Sequence, residues 1–168
     1  MYLVGNKPYY DKKGNNTMTT LSKTTNKELL EIVTELGTDL FQDEPTKQGM
    51  AQAWVAPVVF TDTDSPVINM SESVFGDDVY DLIDSVSIDE TYNYYALMTS
   101  GWASPIDGTD DETPPSQHPE RRRVNLLCLA SRNGKQASAM RMSGNPEIVT
   151  DNGNAKGSLA SALADLFA

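Results

Sequence analysis

The sequence predicts an α+β fold, a single two-layer domain in which about three helices pack on a small antiparallel or mixed sheet. Three observations lead there. Apolar residues recur at helical spacing in three separate segments. Between them lie runs that alternate with period two or are apolar throughout. One Asn-Gly step joins two such runs as a β-hairpin in the C-terminal half. With 168 residues, 39% of them hydrophobic, the chain suits one domain with a modest core.

Residues 1–24 are rich in Asn, Thr, Lys and Gly, with apolar groups at Tyr2-Leu3-Val4 and Tyr9-Tyr10. So little apolar surface does not offset the entropy of ordering, and the stretch reads as a mobile basic arm ahead of a domain spanning 25–168. Met18, followed by Thr-Thr-Leu-Ser, is a candidate native start. Thr25-Asn26-Lys27-Glu28 fits a capping box, so a helix is expected to begin there. Leu29, Ile32, Val33, Leu36 and Leu40 give it one apolar stripe, and Gly37 weakens it without ending it.

Residues 51–60 carry Trp54, Val55, Val58, Val59 and Phe60, a strand bounded by turn residues at 62–66. Pro57 removes a ladder donor, which places this strand at an edge or bends it. From Asp77 the pattern is helical again, with Val79, Leu82, Ile83 and Val86 on one face. Asp77 and Asp78 fall in the first turn, where the helix dipole favours acids. Residues 92–103 are apolar on both alternating faces and suit an interior strand, with a bulge or close backbone approach expected at Gly101-Trp102. A loop of fifteen residues follows at 105–119, with four prolines and the run Asp110-Asp111-Glu112. Loops of that length in compact domains are functional or disordered.

Residues 122–132 and 135–143 alternate around Asn133-Gly134. A two-residue type I′ turn pairs Arg132 with Lys135, which puts Val124, Leu126, Cys128 and Ala130 on one face with Ala137, Ala139 and Arg141. After Pro146, Gly153 and Gly157, Ser158 is placed to cap a last helix with Leu159, Ala162, Leu163 and Leu166 as its stripe.

The formal charge of −11 is unevenly distributed. Residues 1–27 hold five Lys and one Asp, a net of +4, and residues 113–168 hold seven bases and four acids, a net of +3. Residues 28–112 hold nineteen acids against Lys47 alone, a net of −18. Such a middle repels the nucleic-acid backbone, so direct nucleic-acid binding is not expected; it suits solubility, a basic protein partner, or mimicry of DNA phosphates. No apolar run is long enough to span a membrane and no signal-peptide core is present, which points to the cytoplasm.

One Cys and one His exclude an internal disulfide and any zinc site built from several of either. Phosphate-loop, dinucleotide, nucleophile-elbow and His-Glu-x-x-His patterns are absent, and no cofactor is implied. Cys128 falls mid-strand and reads as a small buried hydrophobe. His118 precedes Pro119, Glu120 and Arg121-Arg122-Arg123. His118 beside Glu120 has the make-up of a general base, and Arg121 and Arg123, on one face of a strand with Arg122 on the other, that of an anion grip. The competing reading pairs these arginines with the acidic loop or the acidic middle. Candidate binding residues are therefore Trp102, His118, Arg121, Arg123, Asp110, Asp111 and Glu112. Asp62 and Asp64 are the weak metal candidates; the spacing after them fails the EF-hand pattern, and turn and cap roles explain these acids.

Two motifs stand out: Thr99-Ser100-Gly101-Trp102-Ala103-Ser104-Pro105, and the run from Pro114 through Ser116, His118 and Arg121-Arg122-Arg123 to Val124. Together they resemble a pattern in uncharacterised small proteins of actinobacteria and their phages. There Gly-Trp-Ala-x-Pro is followed by an acidic loop, a Pro-Ser-x-His-Pro-x-Arg-Arg-Arg segment, a hairpin and a closing Gly-Ser-Leu-Ala helix. The resemblance covers residues 94–168. It implies a phage or bacterial source and one module of loop, arginine strand and Trp102; it implies no activity. The leading expectation is a cytoplasmic, non-enzymatic acidic protein that binds or regulates a basic protein surface, in a phage setting one of the host. The alternatives are a small hydrolase- or transferase-like enzyme using His118, Arg121 and Arg123, and a minor phage structural or assembly protein.

Overall fold

The computed structural model describes residues 28–43, 45, 52–104, 113–151 and 158–168. The expected arm at 1–24 lies outside them. Within them, three helices and a curled antiparallel sheet form an α+β half-barrel.

Helix α1 (Leu29–Leu40) follows the expected stripe, with Ile32, Val33 and Leu36 buried. Each such side chain contributes about 1.5–3 kcal/mol. Its start differs from the capping-box expectation. Glu28 is itself the extended cap residue and makes no side-chain capping bond, while Thr25 is outside the described residues. Gly37 is more than a weak point in the helix, because a Cβ there would sit 2.9 Å from the Ala139 Cβ.

Strand β1 (Ala53–Phe60) is buried at every position, and the edge placement expected from Pro57 is corrected. Three-residue strands flank it on one side: β2 (Pro66–Ile68) beside Val58, Val59 and Phe60, and β3 (Val74–Gly76) beside Ala53, Trp54 and Val55. On its other side lies β4 (Tyr94–Ala103). The change from β3 to β2 falls at Pro57, whose carbonyl accepts the Asn69 N–H at 2.9 Å on that side. A strand residue aims its N–H and C=O the same way, so the missing donor of Pro57 points into the gap. The turn between β1 and β2 closes with Thr61 N–H to Ser65 O at 2.9 Å and holds Asp64 at φ 57°.

A 3-10 turn, Met70–Glu72, precedes β3, and helix α2 (Val79–Ser85) follows it. Asp78 caps α2 by accepting the N–H groups of Tyr80 and Asp81 at 2.9 and 3.0 Å. Strand β4 is interior as expected, between β1 and β5 (Arg122–Ser131). No bulge interrupts it: Gly101 lies opposite Val124 and Trp102 opposite Arg123 in an unbroken register, and an added Cβ at Gly101 meets nothing within 4 Å.

The hairpin from β5 to β6 (Gln136–Met142) is present with its register one residue from the expected one. Ser131 donates to Lys135 O at 2.9 Å, Gly134 donates to Ser131 O at 2.9 Å, and among the described residues of this turn only Gly134 has positive φ, at 82°. This is a three-residue turn ending in a left-handed glycine, not the two-residue type I′ turn. A one-residue slip exchanges the faces of a strand. Leu127 and Leu129 therefore share a face with Ala137, Ala139 and Arg141, while Cys128 and Ala130 lie with Gln136 and Ser138. Beyond β6 lies β7 (Ile148–Asp151), an edge strand inside what the sequence reads as loop.

Alternation along the strands feeds two cores. Trp54, Ala56, Val58, Tyr94, Ala96, Met98, Leu127 and Leu129 meet α1 on one face. Val55, Val59, Tyr95, Leu97, Cys128 and Ala130 meet α2 and α3 (Ser158–Asp165) on the other through Leu82, Ile83 and Leu163. The α+β class and the three helices are as expected, but the helices are divided between the two faces, so the sheet lies between two helical layers and the two-layer arrangement is corrected. Helix α1 touches both β2 and β7, the two ends of the strand order, so the sheet curls around it and the α1 face is the concave one. No helix among the described residues is long and apolar enough to cross a membrane.

Candidate functional site

Strand β1 accompanies β4 only as far as Met98, whereas β5 stays paired with β4 to Ala103. Met98 and Leu127 face α1, so alternation puts Ser100 and Trp102 of β4 and Arg123 and Asn125 of β5 on that concave face. Arg141, opposite Asn125, joins them. The core thus gives way to polar and cationic side chains one step past its last apolar pair.

Trp102 is the centre of this group. The guanidinium carbon of Arg123, its cross-strand partner, lies 4.8 Å from the ring centroid, and that of Arg121 lies 5.0 Å from it. Each contact is worth about 0.5–1 kcal/mol when exposed. The two charges share one ring and so lie within about 10 Å of each other, where they repel by about 0.5 kcal/mol in water and more in a drier setting. Arg123 Nη2 donates to Ser100 Oγ at 3.3 Å, and Arg121 Nη1 to the His118 carbonyl at 3.4 Å. Arg122 is exposed and takes the opposite face, as alternation predicts.

His118 is 7% exposed and occupied by its own turn. Its Nδ1 accepts the Glu120 N–H at 3.1 Å, and its carbonyl accepts the Arg121 N–H at 3.2 Å. A neutral ring that accepts at Nδ1 carries its proton on Nε2, so this arrangement offers a donor and no free lone pair for base chemistry. Glu120 enters the turn through its backbone N–H. Asp110, Asp111 and Glu112, and with them the expected pairing of the arginines with the loop, lie outside the described residues.

Asp62 and Asp64 occupy the turn after β1, and among the described residues no three His, Cys, Asp or Glu side chains gather as a metal would need. Cys128 is buried, and burial pushes its thiol up to about 12, which suits packing and not nucleophilic chemistry.

The described acids do not form a single face. Glu28, Glu31, Glu35 and Asp39, spaced by three, four and four residues, run along the side of α1 away from its buried residues. Asp78, Asp81 and Asp84 lie on or at the start of α2, against the opposite face of the sheet.

Sequence reasoning assembled Trp102, Arg121 and Arg123 but missed Ser100, Asn125 and Arg141. The alternation Arg121, Arg123, Asn125 ahead of Leu127 and Leu129 carried the signal; only the correct hairpin register adds Arg141. Family models, curated proteins and solved structures were all compared with the chain, and none matches it.

Proposed function

We propose that the chain is a non-enzymatic binding protein that presents the carboxylates of α1 to a basic protein surface. In the phage or bacterial setting implied by the sequence resemblance, that surface belongs to a host protein. One observation carries the reading: α1 holds acids along its exposed side and no base, including positions where an acid weakens the helix. Asp78 caps the N-terminus of α2 and Asp81 lies in its first turn, whereas Asp39 lies in the last turn of α1. There the dipole opposes acids, and like charges four residues apart cost about 0.2–0.5 kcal/mol per pair. A basic partner relieves that repulsion; solvent alone does so only in part.

The test compares the full chain with its Glu31→Gln/Glu35→Gln/Asp39→Asn variant as baits in a bacterial lysate at low and high salt. The expected result is a basic protein retained by the wild type at low salt, released at high salt and lost by the variant, whose urea midpoint is measured alongside to show that it is folded. Equal capture by both baits overturns the proposal.

A further inference from the structure

We propose that Asn133-Gly134 is a latent deamidation site, kept unreactive by the hairpin turn that displays it and open to reaction only when that turn opens. Asparagine followed by glycine is chemically labile, because glycine has no side chain to shield the peptide nitrogen that follows the asparagine. Both residues are exposed on the turn between β5 and β6, so water and hydroxide reach them. The chemistry needs nothing else. Hydroxide removes the proton from Gly134 N, the nitrogen attacks Asn133 Cγ, the N–Cγ bond forms, the Cγ–Nδ2 bond breaks and ammonia leaves. Water then opens the cyclic imide at either carbonyl: one cleavage restores the main chain with aspartate, the other leaves isoaspartate. No oxidation state changes, and a neutral side chain becomes a carboxylate.

The turn opposes the first of these steps. The proton that must leave is held in the 2.9 Å bond from Gly134 N–H to the Ser131 carbonyl. The carboxamide is pinned as well, since Asn133 Oδ1 accepts the Ser131 hydroxyl and the Lys135 N–H, the latter at 3.3 Å. Ser131 is buried and its own N–H donates to Lys135 O at 2.9 Å, so these restraints are anchored in the pairing of β5 with β6. Two donors on Oδ1 also polarise Cγ and would stabilise the charge that attack develops on the oxygen. They act only once the nitrogen has lost its proton, so the bond at Gly134 decides. Removal of that same proton by hydroxide is what amide exchange reads, which ties both rates to one opening of the turn. Aspartate at position 133 still accepts from both donors and does so with a charge. Isoaspartate instead adds a methylene to the main chain within the turn and cannot close it as before. None of this involves the acids of α1, so the site is independent of the binding reading above.

The test incubates the full-length chain at mildly alkaline pH, folded and unfolded in guanidinium chloride, and follows the mass gain at Asn133 by peptide mass spectrometry. That measurement separates it from Asn152-Gly153, the other Asn-Gly step in the sequence. A synthetic peptide of residues 130–136, run with and without guanidinium, removes the direct effect of the denaturant on the rate. The expected result is a folded rate at least about tenfold below the unfolded one, with protection of the Gly134 amide from exchange of the same order. Equal rates in the two states, a faster folded rate, no mass gain at Asn133 in either state, or a slow folded rate beside a freely exchanging Gly134 amide overturns the proposal.

Discussion

Arg141 donates through Nη1 to the carbonyl of Phe41 at 2.6 Å and to that of Gln42 at 2.8 Å, so a side chain of β6 caps the C-terminal end of α1. The last carbonyls of a helix lack internal partners and carry its negative pole, which makes a guanidinium there doubly favourable. α1 has no base in its own last turn, and Arg141 supplies one from across the fold. Arg141→Met should therefore cost about 1.5–3 kcal/mol, in the range of a charged hydrogen bond. Arg141→Lys should cost less, because it keeps the charge and removes the Nε that is buried without a partner. Urea unfolding gives both values, and hydrogen exchange at Leu40 and Phe41 should accelerate in the Met variant. Unchanged exchange there would show that the cap is idle.

The two turns that end in a left-handed residue give a paired prediction. Gly134 has φ 82° in one and Asp64 has φ 57° in the other, and both close three-residue loops. A side chain at Gly134 is strained there, so Gly134→Ala should destabilise by about 1 kcal/mol. Asp64→Gly removes strain at the equivalent place and should stabilise by about 0.5 kcal/mol. Asn133 accepts the Lys135 N–H at 3.3 Å and also bonds Ser131 Oγ, and it holds no positive φ. Asn133→Ser should accordingly cost less than Gly134→Ala. Equal costs in urea unfolding would instead favour the two-residue turn.

The same turn shows where the sequence was legible and where it stopped. Asn-Gly announces a hairpin because Gly accepts positive φ, but a type I turn with a glycine bulge uses the same pair of residues, and the choice shifts β6 by one position. Pro57 misled for a related reason: a proline bars a ladder bond in one direction only, and here that direction faces the break between β3 and β2. Strands of three residues such as β2 and β3 are too short to show a period, and β7 hides behind Pro146. Longer elements with a full apolar stripe, α1 and β4, were readable outright. In the candidate site, alternation alone joined Arg121 to Arg123. That both guanidinium groups lie over the Trp102 ring followed only from the pairing of β4 with β5, a fact about two segments separated by a loop.

Stability should fall on the alkaline side. Burial pushes Tyr92, Tyr94 and Tyr95 upward from 10.0, and Cys128 from 9.0 to about 12. For Tyr92 the neighbouring Glu72 adds to the effect: its carboxylate accepts the phenol O–H at 2.8 Å. A group that holds its proton more tightly when folded contributes fully below its unfolded value and loses that contribution as pH rises through the folded one. The urea midpoint should therefore be flat from about pH 7 to 8.5 and decline above about pH 9, with each group adding at most about 1.4 kcal/mol per pH unit. Tyr92→Phe should flatten that decline while lowering the midpoint at pH 7, since it also loses the 3.2 Å bond from Asn69 Nδ2. A midpoint unchanged at about pH 10.5 would contradict the linkage.

Gly37 and Ala139 set how closely α1 approaches the sheet. A Cβ at Gly37 would lie 2.9 Å from that of Ala139, and both atoms sit directly on backbone, so neither can rotate away. Replacing glycine by alanine within a helix ordinarily stabilises by about 0.8–1 kcal/mol. Here the helix must lift off β6, loosening the contacts of Ile32, Val33 and Leu36 in the concave-face core. Overpacking of this kind costs about 1–3 kcal/mol, which exceeds the gain, so Gly37→Ala should destabilise the fold. Ala139→Gly removes the opposing Cβ at the expense of a weaker strand. In the double variant the clash is absent and the helix keeps its propensity gain, so the two changes together should cost less than the sum of each alone. A double-mutant cycle by urea unfolding reads that coupling directly, and simple additivity would mean that α1 is not held to β6 at this point.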